Sequence, residues 1–530
     1  MSGGNLDLVI VGAGFAGMYM LHRARKLGLS ARVIEAGSGV GGTWYWNRYP
    51  GARCDVESMQ YSYQFDDALQ QEWDWSERYA PQPEILRYAN HVADRFDLRR
   101  DITFNARVTT AAFDEAANLW RLETDSGERI AGRFCVMATG CLSSWNMPRF
   151  KGLEQFQGKR YHTGQWPHEG VDFTGLRVGV IGTGSSAIQS IPIIAGQAAQ
   201  LTVFQRTPNY TIPAHNAPLD PEYKRAIKSD YAGMRARAKQ TIPGIDFKLN
   251  PKSALEVSAE ERQREYEARW AAGGLMFGAS FADISLSKAA NDTAAEFVRG
   301  KIREIVHDPK VAELLAPDYT IGCKRLCVDT GYWATFNRPN VALVDVSKQP
   351  IEEITAKGVK LAGREYEVDA IVFATGFDAM TGALTKIDIR GVGGLSLRDK
   401  WDHGPRTYLG LAMAGFPNLF TVTGPGSPSV LTNMLPSIEQ HVEWIGDCIA
   451  FARDNGKQRV EPQAQAEEAW VAHVGELAGA TLRHTCNSWY QGANIDGKPR
   501  VFMPYIGGFP AYVKTCNQVA AGGYTGFALS

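Results

Sequence analysis

The chain has little that would tie it to nucleic acid, to a membrane or to a metal. Its 530 residues carry 56 Lys+Arg against 57 Asp+Glu, a net charge of −1. That balance leaves no basic footprint for nucleic acid or an anionic bilayer. No apolar run approaches the roughly 20 residues of a membrane-crossing helix. The longest N-terminal run, Leu8 to Leu21, follows Asp7 rather than a basic residue and is interrupted by Gly12, Gly14 and Gly17. A secretory signal needs a cationic start, so this run reads as a buried strand and the start of a helix. Cysteine is sparse and scattered, at Cys54, Cys135, Cys141, Cys323, Cys327, Cys448, Cys486 and Cys516. No C-x-x-C pair occurs, so neither a zinc site nor a thioredoxin-like redox pair is expected. Dispersed thiols in a chain of this size fit the reducing cytoplasm, each read as buried and inert. The remaining composition, 44% apolar and 21% charged, is that of a soluble globular protein, and the length suggests two to four domains.

Against this plain background stand two dinucleotide signatures. The first runs Leu8-Val-Ile-Val-Gly12-Ala-Gly14-Phe-Ala-Gly17. A short apolar strand enters a G-x-G-x-x-G turn and a helix-compatible segment, Met18 to Lys26, follows. The first glycine permits the turn, the second lets backbone approach a pyrophosphate, and the third lets helix pack on strand. The helix N-terminus then faces the phosphates. The next strand, Ala31 to Glu35, ends in a carboxylate where a ribose 2′-hydroxyl belongs. The second signature is Arg177-Val-Gly-Val-Ile-Gly182-Thr183-Gly184-Ser185-Ser186-Ala187. Its next strand, Leu201 to Gln205, ends in Arg206-Thr207 with no acid. A guanidinium and a hydroxyl there would bind a 2′-phosphate that a carboxylate would repel. Glu35 and Arg206 therefore assign a nucleotide with a free 2′-hydroxyl, such as FAD, to the first site and NADP to the second.

Two further strings, Phe134 to Gly140 and Ala370 to Gly376, are apolar strands that end in A-T-G. Their recurrence suggests one nucleotide domain inserted in another, with Ala374, Thr375 and Gly376 at the second crossing. Between the signatures lies Phe156-Gln-Gly158-Lys-Arg-Tyr-His162-Thr-Gly-Gln-Trp166-Pro167. Three other stretches stand out: Gly41 to Asp55 with Gly42, Thr43, Trp44, Trp46 and Tyr49; Gly322 to Asp329 with Lys324 and Arg325; and Asn487 to Asn494 with Trp489.

At these four places the chain resembles the single-component, FAD- and NADPH-dependent Baeyer–Villiger monooxygenases, the group around phenylacetone and cyclohexanone monooxygenases. The resemblance implies an α/β fold: two Rossmann-like dinucleotide-binding domains with a helical insertion. An FAD domain would take 1–140 and 376–530, an NADP domain 150–216 and 325–375, and the insertion 217–324. Residues 217–321 fit an insertion on their own terms. They are rich in helix formers, with capping boxes expected at Ser258–Glu261 and Thr293–Glu296. Asp308-Pro309 reads as a start and Pro317 as a stop.

The activity implied is Baeyer–Villiger oxidation. NADPH-reduced FAD captures O2 as a C4a-peroxide, which attacks a small ketone and yields an ester or lactone. By the same resemblance Gly42, Thr43, Trp44, Asp55 and Tyr61 belong to the flavin site, and Lys324 joins Arg206 and Thr207 at the NADP phosphate. Arg325 would be catalytic, since its charge persists at any working pH and can favour a peroxide anion and an oxyanion. Asp55 would orient it. Phe156, Gly158, His162, Trp166 and Pro167 would form an interdomain hinge, His162 acting by hydrogen bonding rather than as an acid. Ser429, Val430, Leu431, Met434 and Trp489 would line the substrate pocket, and this loop is closer to the form in arylketone-preferring relatives. A flavin N- or S-oxygenase is the main alternative. A flavin disulfide reductase would need a redox cysteine pair, and a non-enzymatic NADP sensor would leave Arg325 without purpose. The natural ketone and the oligomeric state are not written in these motifs.

Overall fold

The computed structural model describes residues 5–530, so the first four residues of the expected 1–140 segment lie outside the described part. The first signature strand, Leu6–Val11, sits at the centre of a large sheet. It pairs parallel with Ala31–Ile34 on one side and with Arg129–Met137 on the other. Leu8 to Val11 are all buried, as expected for a parallel strand covered on both faces. The sheet grows through Ile102–Thr103 beyond Ala31–Ile34. On the other flank the antiparallel strands Leu119–Thr124 and Val108–Asp114 follow. The chain then returns from far downstream: Asp388–Arg390 pairs with Val108–Asp114 and Leu419–Thr421 pairs with Arg129–Met137.

A second sheet is wholly parallel. Its order is Val341–Asp345, Gln200–Gln205, Arg177–Ile181, Ala370–Phe373, Lys159–His162. The two A-T-G strings thus begin as strands that flank the two glycine-bearing strands, one in each sheet. This is a mixed α/β fold with two sheets: the first is parallel around the glycine-bearing strand and antiparallel on one flank, and the second is parallel throughout.

Between Gln200–Gln205 and Val341–Asp345 the chain is mainly helical, with helices Pro221–Ser229, Tyr231–Ala238, Ala259–Ala272, Lys288–Ile305 and Pro309–Leu315. Ser258 caps one by accepting from the Glu261 amide, and Asp308 caps another with Pro309 at its first position. The expected start at Thr293 is wrong. The cap there is Ser287, which accepts from the Ala290 amide. Thr293 lies inside the helix, and its hydroxyl donates back to the Ala290 carbonyl at 2.7 Å.

Tyr231–Ala238 docks on the first domain through Arg235, which is buried. Its guanidinium donates to the Gln60 carbonyl at 2.9 Å and to Ser62 Oγ at 2.7 Å. A buried charge is tolerable only when hydrogen-bonded in this way. Among the described residues no helix is long and apolar enough to cross a membrane.

Candidate active site

Both glycine turns are built to the same plan. Gly12 has φ +102°, and a Cβ there would fall 2.7 Å from the Ala138 carbonyl oxygen. Gly182 has φ +109°, and its Cβ would fall 2.5 Å from the Ala374 carbonyl oxygen. Each turn therefore presses on the alanine of its own A-T-G string. Gly17 fills a different need: its Cβ would lie 1.8 Å from the Gly12 carbonyl oxygen, so it seats the helix on the turn. At Gly184 a side chain would meet nothing within 4 Å, because that direction opens into a cavity. Helices Phe15–Lys26 and Ser185–Gln197 begin at Gly14 and Gly184, and no described side chain caps either. Their first N–H groups are left facing the cavity, as a phosphate-binding helix end requires. The cradles thus fit two pyrophosphates.

One cavity of about 2240 Å³ joins the two cradles. A pocket for one small ligand spans roughly 300–1,000 Å³, so this one has room for several. On the first side it is lined by Gly12, Gly14, Glu35, Gly42, Thr43, Trp44, Asp55 and Tyr61. On the second it is lined by Gly182, Thr183, Gly184, Ser185, Ser186, Arg206, Thr207, Lys324, Arg325, Ala374, Thr375 and Gly376, with Trp489 at the C-terminal segment. Gly17 is off the cavity, in keeping with its packing role.

Glu35 is buried, and its two oxygens each accept a backbone N–H at 2.6 Å, from Ala13 and Gly37. Burial pushes its carboxyl above the ordinary range, while those N–H groups pull it back. Arg206 and Lys324 make no ion pair among the described residues. Lys324 is lowered to about 8, first by burial and then by the nearby Arg206 charge.

Arg325 is held on the cavity wall by Asp55. Its Nε donates to Oδ2 at 2.6 Å and its Nη2 to Oδ1 at 2.8 Å. This is the two-point fork that a planar guanidinium makes with a carboxylate. Nη1 donates to the Val430 carbonyl at 2.7 Å, so the same guanidinium touches the expected substrate loop. Burial works against its charge, but Asp55 more than offsets that and holds the pKa above the usual arginine value.

The segment that carries Asp55 is stitched to the second helix. Tyr49 Oη donates to Gln189 Oε1 at 2.8 Å, and Gln189 Nε2 donates to the Arg53 carbonyl at 3.1 Å. Trp44 Nε1 donates to Tyr61 Oη at 3.1 Å. Trp44, Trp46 and Tyr49 all face the cavity.

His162 ends the edge strand Lys159–His162, opposite Phe373. Its Nδ1 accepts from the Gly164 amide at 3.0 Å. The proton therefore sits on Nε2, which lies 3.2 Å from the Asn146 carbonyl and 3.2 Å from Thr375 Oγ1. Burial lowers the ring to about 4, so it is neutral at ordinary pH. Trp166 is buried in the core of the second sheet, and Phe156 packs with Phe204 and Phe373 on its other face. A Cβ on Gly158 would meet the Asp369 carbonyl oxygen at 2.4 Å, and Pro167 follows Trp166 on the surface side.

Two substrate-pocket expectations need correction. Val430 and Met434 line the cavity, with Thr432 and Ile438 beside them, but Ser429 and Leu431 do not. Ser429 has φ +43° and is fully buried, with its hydroxyl turned to the Thr423 carbonyl at 3.2 Å. Leu431 packs instead on the cluster around Met380, Tyr490 and Met503. The expectation of eight inert thiols is also wrong: Cys323 and Cys486 form a disulfide across 163 residues of sequence. It joins the residue before Lys324 to the segment that carries Trp489.

Several site residues escaped sequence reasoning. Asn433 caps helix Met434–Asp454, and its Nδ2 donates to the Gln60 carbonyl at 2.8 Å, the acceptor that Arg235 also uses. Gln60 precedes Tyr61, so the substrate loop, the insertion and the flavin segment meet there. No motif marks Gln60, Arg235 or Gln189.

The pyridine nucleotide-disulphide oxidoreductase family model matches residues 9–299, a span that ends before either bonded cysteine. A Baeyer–Villiger monooxygenase of Pseudooceanicola batsensis is 45% identical over 99% of this chain and 96% of its own length. The chain belongs to the Baeyer–Villiger monooxygenase family. A phenazine N-monooxygenase of Lysobacter antibioticus is 42% identical over 99% of this chain and 97% of its own length. The solved structure of an oxidised steroid monooxygenase bound to NADP superposes with a TM-score of 0.95 at 54% identity, covering 99% of each chain.

Proposed function

We propose that the protein is an NADPH-dependent flavin monooxygenase that inserts one oxygen atom of O2 beside a ketone carbonyl to give an ester or lactone. The observation that carries this reading is the Arg325–Asp55 fork on the wall of a cavity that both nucleotide cradles share. Bound FAD, once reduced by NADPH, supplies the activated oxygen.

The chain supplies the rest. Glu35 receives ribose hydroxyls. Arg206, Thr207 and Lys324 receive the 2′-phosphate. Arg325 places a permanent positive charge where negative charge collects on oxygen, both on the attacking atom and on the carbonyl oxygen as its carbon becomes tetrahedral. Asp55 fixes the direction of the fork, so no reorganisation is needed at the moment of reaction. Trp44, Tyr61 and Trp489 wall the cavity and limit water. His162, neutral and bonded to both the Asn146 segment and Thr375, joins the domains rather than moving a proton.

The test is NADPH consumption under air across a ketone panel, with product mass recorded. A mass gain of one oxygen on a ketone supports the reading. NADPH turnover with no oxygenated ketone in the panel contradicts it. The phenazine N-monooxygenase relative favours a second reading, heteroatom oxygenation, so the panel should include a thioether and an aromatic N-heterocycle.

A further inference from the structure

Arg206 and Lys324 reach the cavity from two segments far apart in sequence. Neither makes an ion pair among the described residues, although the Asp318 carboxylate next to Tyr319 lies near enough to work against the lowering of Lys324 by burial and Arg206. Two cations held near each other repel, and something must fix their separation before a phosphate arrives. Tyr319 touches both segments. Its ring carries the Lys324 ammonium, with Nζ 4.4 Å from the ring centroid. Its hydroxyl donates to Asn209 Oδ1 at 2.7 Å and lies 3.1 Å from the Pro208 carbonyl, on the turn that follows Arg206 and Thr207. Its own backbone is locked in turn: the Tyr210 hydroxyl donates to the Tyr319 carbonyl at 3.0 Å, and the two rings meet edge to face at 5.3 Å. Tyr319 faces the cavity together with Pro208 and Asn209.

We propose that Tyr319 is a positioning residue for coenzyme specificity: it sets Lys324 against Arg206 so that the pair fits an adenosine 2′-phosphate. An aromatic face attracts an ammonium by its quadrupole without neutralising it, so the lysine keeps its charge for the ligand. A carboxylate in that place would compete with the phosphate. The hydroxyl tether keeps the face at a fixed distance from the arginine turn. The inference rests on the reading of Arg206, Thr207 and Lys324 as the phosphate site.

The test uses the FAD-loaded enzyme and two probes, adenosine 2′,5′-bisphosphate and 5′-AMP, with binding measured by calorimetry. Tyr319→Leu should weaken the bisphosphate about tenfold and leave 5′-AMP unchanged, the scale of a partly desolvated cation–ring contact. Tyr319→Phe keeps the face and loses the tether, so it should fall between the two, and it decides the matter if the leucine variant does not retain flavin. A Lys324→Met background separates a specific role from a general one. If Tyr319 acts through Lys324, Tyr319→Leu should cost less than about threefold there, a non-additive pair. Full additivity, or an equal loss of 5′-AMP binding, overturns the proposal. If Lys324→Met weakens the bisphosphate and neither tyrosine variant does, the phosphate site stands and the role of Tyr319 falls. If Lys324→Met changes nothing, the phosphate site itself is misplaced and the proposal falls with it.

Discussion

Arg325 and Asp55 stand 270 residues apart in sequence and close on each other through two hydrogen bonds of 2.6 and 2.8 Å. The pair joins the flavin side of the cavity to the nicotinamide side. It also fixes the one guanidinium direction left free: Nη1 points to the Val430 carbonyl on the substrate loop. A change in how the two domains sit would have to move or break this fork.

If Arg206 holds the 2′-phosphate as proposed, it sets coenzyme choice. Arg206→Ala removes a charged phosphate contact, which costs about 1.5–3 kcal/mol. The KM for NADPH should rise by about one to two orders of magnitude, with the KM for NADH nearly unchanged. Equal KM values for the two coenzymes in the unaltered enzyme would refute the assignment.

Lys324 should give that preference a pH limit. Burial and Arg206 lower it to about 8. A lysine with a depressed pKa is charged below that value and loses its proton as pH rises through it. kcat/KM for NADPH, which reports the free enzyme, should therefore fall above pH about 8. The same profile with NADH should lack this limb, and Lys324→Met should abolish it with NADPH. An NADPH profile that stays flat to pH 9.5 would count against the lysine.

His162 is neutral at working pH and has both ring nitrogens engaged. His162→Ala should still bind FAD and still be reduced by NADPH, only more slowly, as expected for a lost bond to the connection between the two sheets. Normal flavin reduction with selective loss of ketone oxygenation would instead assign it acid–base chemistry.

The Cys323–Cys486 bond leaves six free cysteines: Cys54, Cys135, Cys141, Cys327, Cys448 and Cys516. Alkylation of the denatured, unreduced protein should modify six thiols, and prior reduction should expose all eight. Eight modified thiols without reduction would remove the crosslink.

The site was legible where local backbone rules force a residue type. Gly12 and Gly182 need positive φ and room for a carbonyl, Glu35 and Arg206 sit at strand ends, and these constraints are written in a few consecutive letters. Ser258 and Asp308 were legible as caps for the same reason. Thr293 was not, because a four-residue capping pattern does not reveal that the chain is already helical from Lys288. Ser429 and Leu431 were expected in the pocket from a family resemblance, which places the loop beside the cavity without telling which of its side chains face it; here Ser429 turns inward and Leu431 packs on the cluster around Met380 and Tyr490. The Cys323–Cys486 pairing and the convergence of Arg235 and Asn433 on Gln60 are set by packing between distant segments. No spacing in the chain encodes them.

Arg325 is proposed to stabilise negative charge on oxygen during its transfer to the ketone. The measurement is the ratio of ester to hydrogen peroxide per NADPH consumed by Arg325→Ala, with bound FAD quantified in the same sample. Loss of a charged donor from such a site costs about two to three orders of magnitude in rate. The variant should keep its flavin, form almost no ester, and pass its remaining NADPH oxidation to hydrogen peroxide. Near-normal ester yield from the flavin-loaded variant would contradict the account and assign the charge-stabilising role to a different group in the cavity.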